Sequence, residues 1–124
     1  MKVYIAGTMH DPRISLGLVQ QRLEMLGHEV VSRWHAPGNW KPNADHNTPE
    51  AREAIAMDNF GDIDRSNVVL VVPCEEHHMR GAHVEVGYAI GTWKTVYVLG
   101  AFDSVNTMCA HPRVEYIKEL EEIK

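Results

Sequence analysis

The chain has 124 residues and a formal charge of −5, from 12 basic and 17 acidic side chains; 44% of residues are hydrophobic and 23% charged. That length suits one domain with one core, and the composition excludes a disordered chain. The basic residues are scattered singly, which argues against a nucleic-acid polymer as partner, and no apolar run approaches the roughly 18–20 residues that cross a bilayer.

Lys2 is followed at once by a strand-like run, so no secretory leader is expected. Cys74 and Cys109 are too few for a disulfide framework, and a cytoplasmic location follows as the expectation. No repeat or linker divides residues 1–124, which read as a single domain.

Val3-Tyr4-Ile5-Ala6 before Gly7 reads as a short buried strand. Arg13 to Leu26 follows as a helix, with Ile14, Leu18, Val19, Leu23 and Leu26 at helical spacing and Gly27 as its stop. Glu29 to Trp34 predicts a second strand. His35 to Thr48 breaks into a long loop, of a length that often serves as a binding loop or lid. Thr48-Pro49-Glu50 supplies an N-cap, a first-position proline and a first-turn acid, opening a helix to about Arg65. Asn67 to Val72 is a strand apolar enough to be buried on both faces. Gly81 to Gly91 is helix-like, Thr95 to Leu99 is a fourth strand, and Pro112 to Ile123 predicts a closing amphipathic helix.

Strands alternating with helices imply βαβ units. The fold class is therefore α/β: a doubly wound, Rossmann-like parallel sheet of four or five strands flanked by helices. Ligands of such sheets bind beyond the carboxyl ends of the strands, which selects the loops Gly7–Pro12, Trp34–Asn47, Pro73–Gly81 and Gly100–His111.

Ala82, Val86, Ala89 and Ile90 share the packing face of the third helix, and Glu85 lies off that face near the crevice end. Its position fits an acid favoured by the helix dipole as well as a reactive group. On the second helix Asp58 falls within a stripe of Ala51, Ala54 and Ile55, where a carboxylate must find a backbone partner or reach a cleft. Two convergent acids are what glycosidic-bond cleavage needs.

Three pieces carry a resemblance. They are Val3-Tyr4-Ile5-Ala6-Gly7-Thr8, the stretch Asp58-Asn59-Phe60-Gly61-Asp62-Ile63 leading into the central strand, and Gly81-Ala82-His83-Val84-Glu85-Val86-Gly87-Tyr88-Ala89. Over nearly its whole length the chain resembles the nucleoside 2-deoxyribosyltransferase family, including its 2′-deoxynucleoside 5′-phosphate N-hydrolase branch. The resemblance implies that Glu85 attacks C1′ of the deoxyribose, that the Tyr4 hydroxyl holds the Glu85 carboxylate, and that Asp58 binds the base and helps protonate it. Gly7 and Thr8 would let the backbone approach the substrate, with Gly81 also among the binding positions. Asn106 would extend toward the sugar pocket of a neighbouring subunit, since the family forms homo-oligomers; a turn residue is the plainer reading. No cofactor is implied, and the partner is a small nucleoside or nucleotide.

The sequence departs from the family in two places. Glu75-Glu76-His77-His78-Met79-Arg80 puts no aspartate in the register that the longer transferases use. His83 stands where the hydrolase branch has a phosphate-holding serine, while Thr8 matches another of its serines. His83 fits a phosphate or 5′-hydroxyl ligand as well as a solvated side chain. Trp34, His35 and Trp40 fit base stacking or lid packing equally. Helix-dipole lowering of the Glu85 pKa would keep the nucleophile ionised.

Two rival readings stand beside this one. Cys74, His77, His78 and His83, with Cys109 and His111, offer soft ligands to zinc, though at no established spacing. A non-catalytic nucleotide sensor would use the same crevice, with Glu85 an ordinary capping acid.

Overall fold

A computed structural model describes residues 1–8, 15–36, 48–74, 79–100 and 107–124. In chain order its elements are β1 (Lys2–Ala6), α1 (Leu16–Met25), β2 (Glu29–Val30), α2 (Pro49–Arg65), β3 (Val68–Val71), α3 (Arg80–Gly91), β4 (Thr95–Leu99), a 3-10 turn at Thr107–Ala110, β5 (Val114–Ile117) and a second at Leu120–Glu122. The five strands form one parallel sheet in the order β2-β1-β3-β4-β5. The chain steps outward from β1 to β2 and then crosses back to β3. That reversal opens the crevice beyond the carboxyl ends of β1 and β3.

Both faces of the sheet are covered, as the unbroken apolar run of β3 requires. On one face Val3, Ile5, Val68 and Leu70 pack with Leu16 and Leu23 of α1 and with Ile117, Leu120 and Ile123 of the tail. On the other, Tyr4, Ala6, Val69, Val71, Val96 and Val98 pack under Ile63 of α2 and Ala82, Val86 and Ala89 of α3. Ser15 caps α1 by accepting from Leu18 N–H, and Thr48 caps α2 by accepting from Ala51 N–H. Gly27, at φ 90°, takes the left-handed turn that ends α1.

Two expected elements differ. The helix predicted for Pro112 to Ile123 is instead β5 followed by a 3-10 turn. β4 needed a partner on its outer edge, and β5 supplies it through Val96 N–H to Arg113 O and Gly100 N–H to Ile117 O. Ile117 of β5 is buried, as are Leu120 and Ile123 of the following turn, whose three-residue spacing is the repeat of a 3-10 helix rather than an α-helix.

The second strand is also shorter than Glu29 to Trp34. Glu29 N–H bonds Met1 O and Val31 N–H bonds Val3 O, which would make Arg33 N–H to Ile5 O the next rung. That rung is replaced: Arg33 N–H turns to Asp62, while Trp34 Nε1–H donates to Ile5 O at 2.8 Å. Ile5 N–H donates to Ser32 Oγ at 3.0 Å. Side chains take over from the ladder.

Candidate active site

α3 starts without a side-chain cap. Met79, its N-cap, sits in the left-handed region at φ 50°, and its sulfur accepts from Cys74 N–H. Helix side chains lean toward the N-terminus, and Glu85 follows the rule. A Cβ on Gly81, one turn earlier, would stand 3.9 Å from Glu85 Oε1. The carboxylate thus lies back over the first turn of α3, toward the crevice.

Below it is Tyr4. This residue occupies the middle of β1 rather than its end, is fully buried, and extends its phenol up to Glu85. The two groups interact, yet neither Tyr4 Oη nor Glu85 Oε2 completes a hydrogen bond of good distance and angle with any described residue. Both oxygens are buried. Burial pushes the Glu85 carboxyl up from 4.5 to about 7, with the Tyr4 hydroxyl pulling it partly back. Burial, then the Glu85 charge and hydrogen-bonding contact, then the Asp62 charge, push the Tyr4 phenol far above its usual range. The expected lowering of Glu85 by the helix dipole is overturned. The Glu85 carboxylate lies over the first turn of α3, but desolvation by burial outweighs the dipole there.

Asp58 is in a different setting from the one its stripe implied. Ala54, Ile55 and Asp58 are exposed, and α2 buries Asp62 and Ile63 instead. The Asp58 side chain is 72% exposed and lies 3.9 Å from the Arg33 guanidinium.

Asp62, one turn further along the helix, is the residue that sequence reasoning missed. It is wholly buried and accepts from Arg33 N–H at 3.0 Å, from Arg33 Nε at 3.0 Å and from an Arg65 guanidinium nitrogen at 2.5 Å. A second Arg33 nitrogen lies 2.9 Å away. A buried carboxylate needs such pairing. The i, i+4 relation of Asp58 and Asp62 was the available signal, read on the wrong turn.

The other candidates divide. Trp34 spends its indole N–H on Ile5 O and packs against both cores, beside the crevice. His35 is buried, hydrogen-bonds Ser32 Oγ at 2.7 Å and meets Trp34 edge-on, so it is not placed to stack on a base. His83 is half-buried and turned back on its own helix, with Nδ1 donating to Met79 O at 3.0 Å. Gly7 has a packing reason to be glycine, since a Cβ there would stand 3.2 Å from Val72 O. Thr8 follows β1 at the crevice end and is half-buried. Asn106, Trp40, His77 and His78 lie outside the described residues. Cys74 and Cys109 are buried and not joined in a disulfide, and among the described residues no group of three or more His, Cys, Asp or Glu is gathered around a metal position.

No protein-family model matches the sequence, and no curated protein matches it. Solved structures do. A 2-deoxyribosyltransferase from the psychrotolerant bacterium Bacillus psychrosaccharolyticus superposes over 100% of this chain and 93% of its own, with a TM-score of 0.76 at 18% identity. The chain has the fold of a nucleoside 2-deoxyribosyltransferase. A CMP N-glycosidase from Clostridium botulinum, BcmB, is similar over 94% of this chain and 87% of its own, with a TM-score of 0.64 at 18% identity. Within this fold, the described residues bring Glu85 and Tyr4 together, and Asp58 lies 3.9 Å from Arg33, which Asp62 holds.

Proposed function

We propose that this protein cleaves the N-glycosidic bond of a 2′-deoxynucleoside or its 5′-monophosphate, with Glu85 as the nucleophile. The observation that carries the reading is the buried pair of Glu85 on α3 and Tyr4 in the middle of β1. The Glu85 carboxylate attacks C1′, the C1′–N bond breaks, and its electron pair leaves with the base. The resulting deoxyribosyl ester is then opened by water or by a second nucleobase.

A desolvated carboxylate suits this step. Burial makes its charge unfavourable in the free enzyme, and the positive charge that develops at C1′ relieves that strain only in the transition state. Tyr4 stays protonated and donates toward the carboxylate, steering which oxygen attacks. Asp58, exposed on α2, is the residue that would contact the departing base. The family resemblance adds a further expectation, a homodimer or larger assembly, which light scattering checks.

The test is chromatography of ribo- and 2′-deoxynucleosides and their 5′-monophosphates, each with and without a second free base. Release of base from deoxy substrates supports the reading, and a new nucleoside in the second arm marks transfer. The similarity to a glycosidase named for CMP, a ribonucleotide, makes the ribo arms necessary. Faster turnover of ribo substrates favours ribonucleotide hydrolysis. Binding of a nucleotide with no turnover in any arm favours the sensor reading.

A further inference from the structure

α1 and α2 begin in the ordinary way: Ser15 and Thr48 stand in extended backbone and cap their helices with a hydroxyl. α3 does neither. Met79 opens it at φ 50° and ψ 45°, a left-handed conformation uncommon for a residue with a side chain, and gives the helix no capping group. Trp93, at φ 65°, takes the same conformation beyond the other end of α3. There it closes a helix, as left-handed residues usually do, with Trp93 N–H bonded to Ile90 O and Lys94 N–H to Ala89 O. Met79 has no such role, and it stands at the start of the helix that carries Glu85. Strain kept at such a place calls for a reason.

The contacts of Met79 supply one. Its Sδ accepts from Cys74 N–H at 3.0 Å, and its carbonyl accepts from His83 N–H at 3.1 Å and from His83 Nδ1 at 3.0 Å. The first bond reaches back to the end of β3, and the others reach forward into the first turn of α3. Just before Cys74, Val72 N–H donates to Ala6 O at 2.8 Å, and Ala6 ends the strand that carries Tyr4. Just after Met79 comes Gly81, over which the Glu85 carboxylate folds. Met79 also packs against the apolar cluster that holds Tyr4 and Ala82. A path therefore runs from Tyr4 through Ala6, Val72, Cys74 and Met79 to Glu85, and the sulfur is its link between strand and helix. A thioether is a weak acceptor, so this link fixes geometry more than it adds stability.

We propose that Met79 is the positioning residue for Glu85: its sulfur and its left-handed backbone set the start of α3 against the ends of β1 and β3, and so hold the carboxylate beside the Tyr4 hydroxyl. The proposal deepens the glycosidic-cleavage reading and rests on it.

The experiment removes the sulfur and restores an acceptor. Wild type, Met79→Leu and Met79→Gln are assayed on the ribo- and 2′-deoxynucleosides of adenine, guanine, cytosine, thymine and uracil and on their 5′-monophosphates. Leucine keeps the bulk and loses the acceptor, whereas glutamine carries an acceptor at similar reach. On the substrates that wild type turns over, Met79→Leu should lower kcat about 10- to 100-fold, the range for displacing a reacting group by about 1 Å. KM should stay within about twofold, because Met79 acts through Glu85 and not on the substrate. Met79→Gln should recover part of the loss.

A second arm needs no substrate. Burial is the larger influence on the Glu85 carboxyl and the facing Tyr4 hydroxyl the smaller, so a carboxylate released toward water falls from about 7 toward 4.5. In Met79→Leu the stability that wild type loses between pH 4.5 and 7 should shrink, as read from urea midpoints, and the acid limb of the rate should move down with it. A midpoint lowered equally at every pH, with kcat per folded molecule unchanged, marks a merely structural residue and overturns the proposal. If Met79→Leu does not fold, Met79→Gly takes its place, since glycine adopts φ 50° freely and also lacks the sulfur. A wild type inert on every substrate overturns the cleavage reading. The urea arm then decides alone: a narrowed window keeps Met79 as the residue that places Glu85, and an unchanged one removes it.

Discussion

Glu85 carries opposite consequences for activity and for stability. With its pKa near 7 in the folded protein and 4.5 when solvated, the acid is neutral in both states below about pH 4.5. As pH rises through this window the unfolded chain gives up a proton that the folded chain keeps, so stability falls until the folded pKa is passed. Glu85→Gln should therefore abolish base release and raise stability at pH 8 by at most about 3 kcal/mol, with the gain gone by pH 4.5. Urea midpoints at the two pH values check this, and an unchanged midpoint at pH 8 contradicts the buried-carboxylate account. Tyr4→Phe removes the hydroxyl that lowers the Glu85 pKa, so the acid limb of the rate profile should start near 7 in wild type and move upward in the variant. A limb that stays in place would separate the two groups. Position and neighbours of Glu85 were legible in the motif around it; the direction of its pKa was not, because desolvation belongs to the assembled sheet and helices.

At the level of elements, what the sequence made readable was whatever repeats within one segment. The bounds of α2 and β4 follow from a cap with a first-position proline and from an apolar run before a glycine. The tail was misread because Ile117, Leu120 and Ile123 fit two periods, and only the open edge of β4 chooses between them. Asp62 was passed over for a related reason. Arg65 sits on the same helix, but Arg33 lies 29 residues away beyond β2, and an acid three residues before an arginine does not by itself read as buried. The shortened β2 leads to a further test. Ser32 Oγ serves both Ile5 N–H and His35, so Ser32→Ala leaves two buried polar groups unsatisfied. Urea unfolding should show a loss of roughly 1–3 kcal/mol, and Ser32→Thr should recover part of it if the new methyl is accommodated. A loss below a few tenths would mean the backbone finds its partner elsewhere.

For the molecule as a whole, two buried groups pull the pH profile of stability in opposite directions. Burial lowers the pKa of His35 from 6.5, against the opposing charge of Asp62. Below 6.5 the unfolded chain gains a proton that the folded one resists, so acidification weakens the fold while it relieves Glu85. Between about pH 4.5 and 6.5 the two slopes oppose each other. In the Glu85→Gln protein the opposing Glu85 slope is gone, and stability should climb more steeply with pH across that interval than in wild type. Parallel profiles would remove Glu85 from the account. The side chains that cut β2 short have one more effect. A parallel sheet invites neighbours to extend it wherever an outer strand shows open amide and carbonyl groups, and such docking is a common route into fibrils. Here the outermost ladder ends after two residues, and a stray strand arriving beside Ile5 would find its N–H held by a hydroxyl and its carbonyl by an indole. Ser32 and Trp34 thus act as stoppers against self-templated growth along that border.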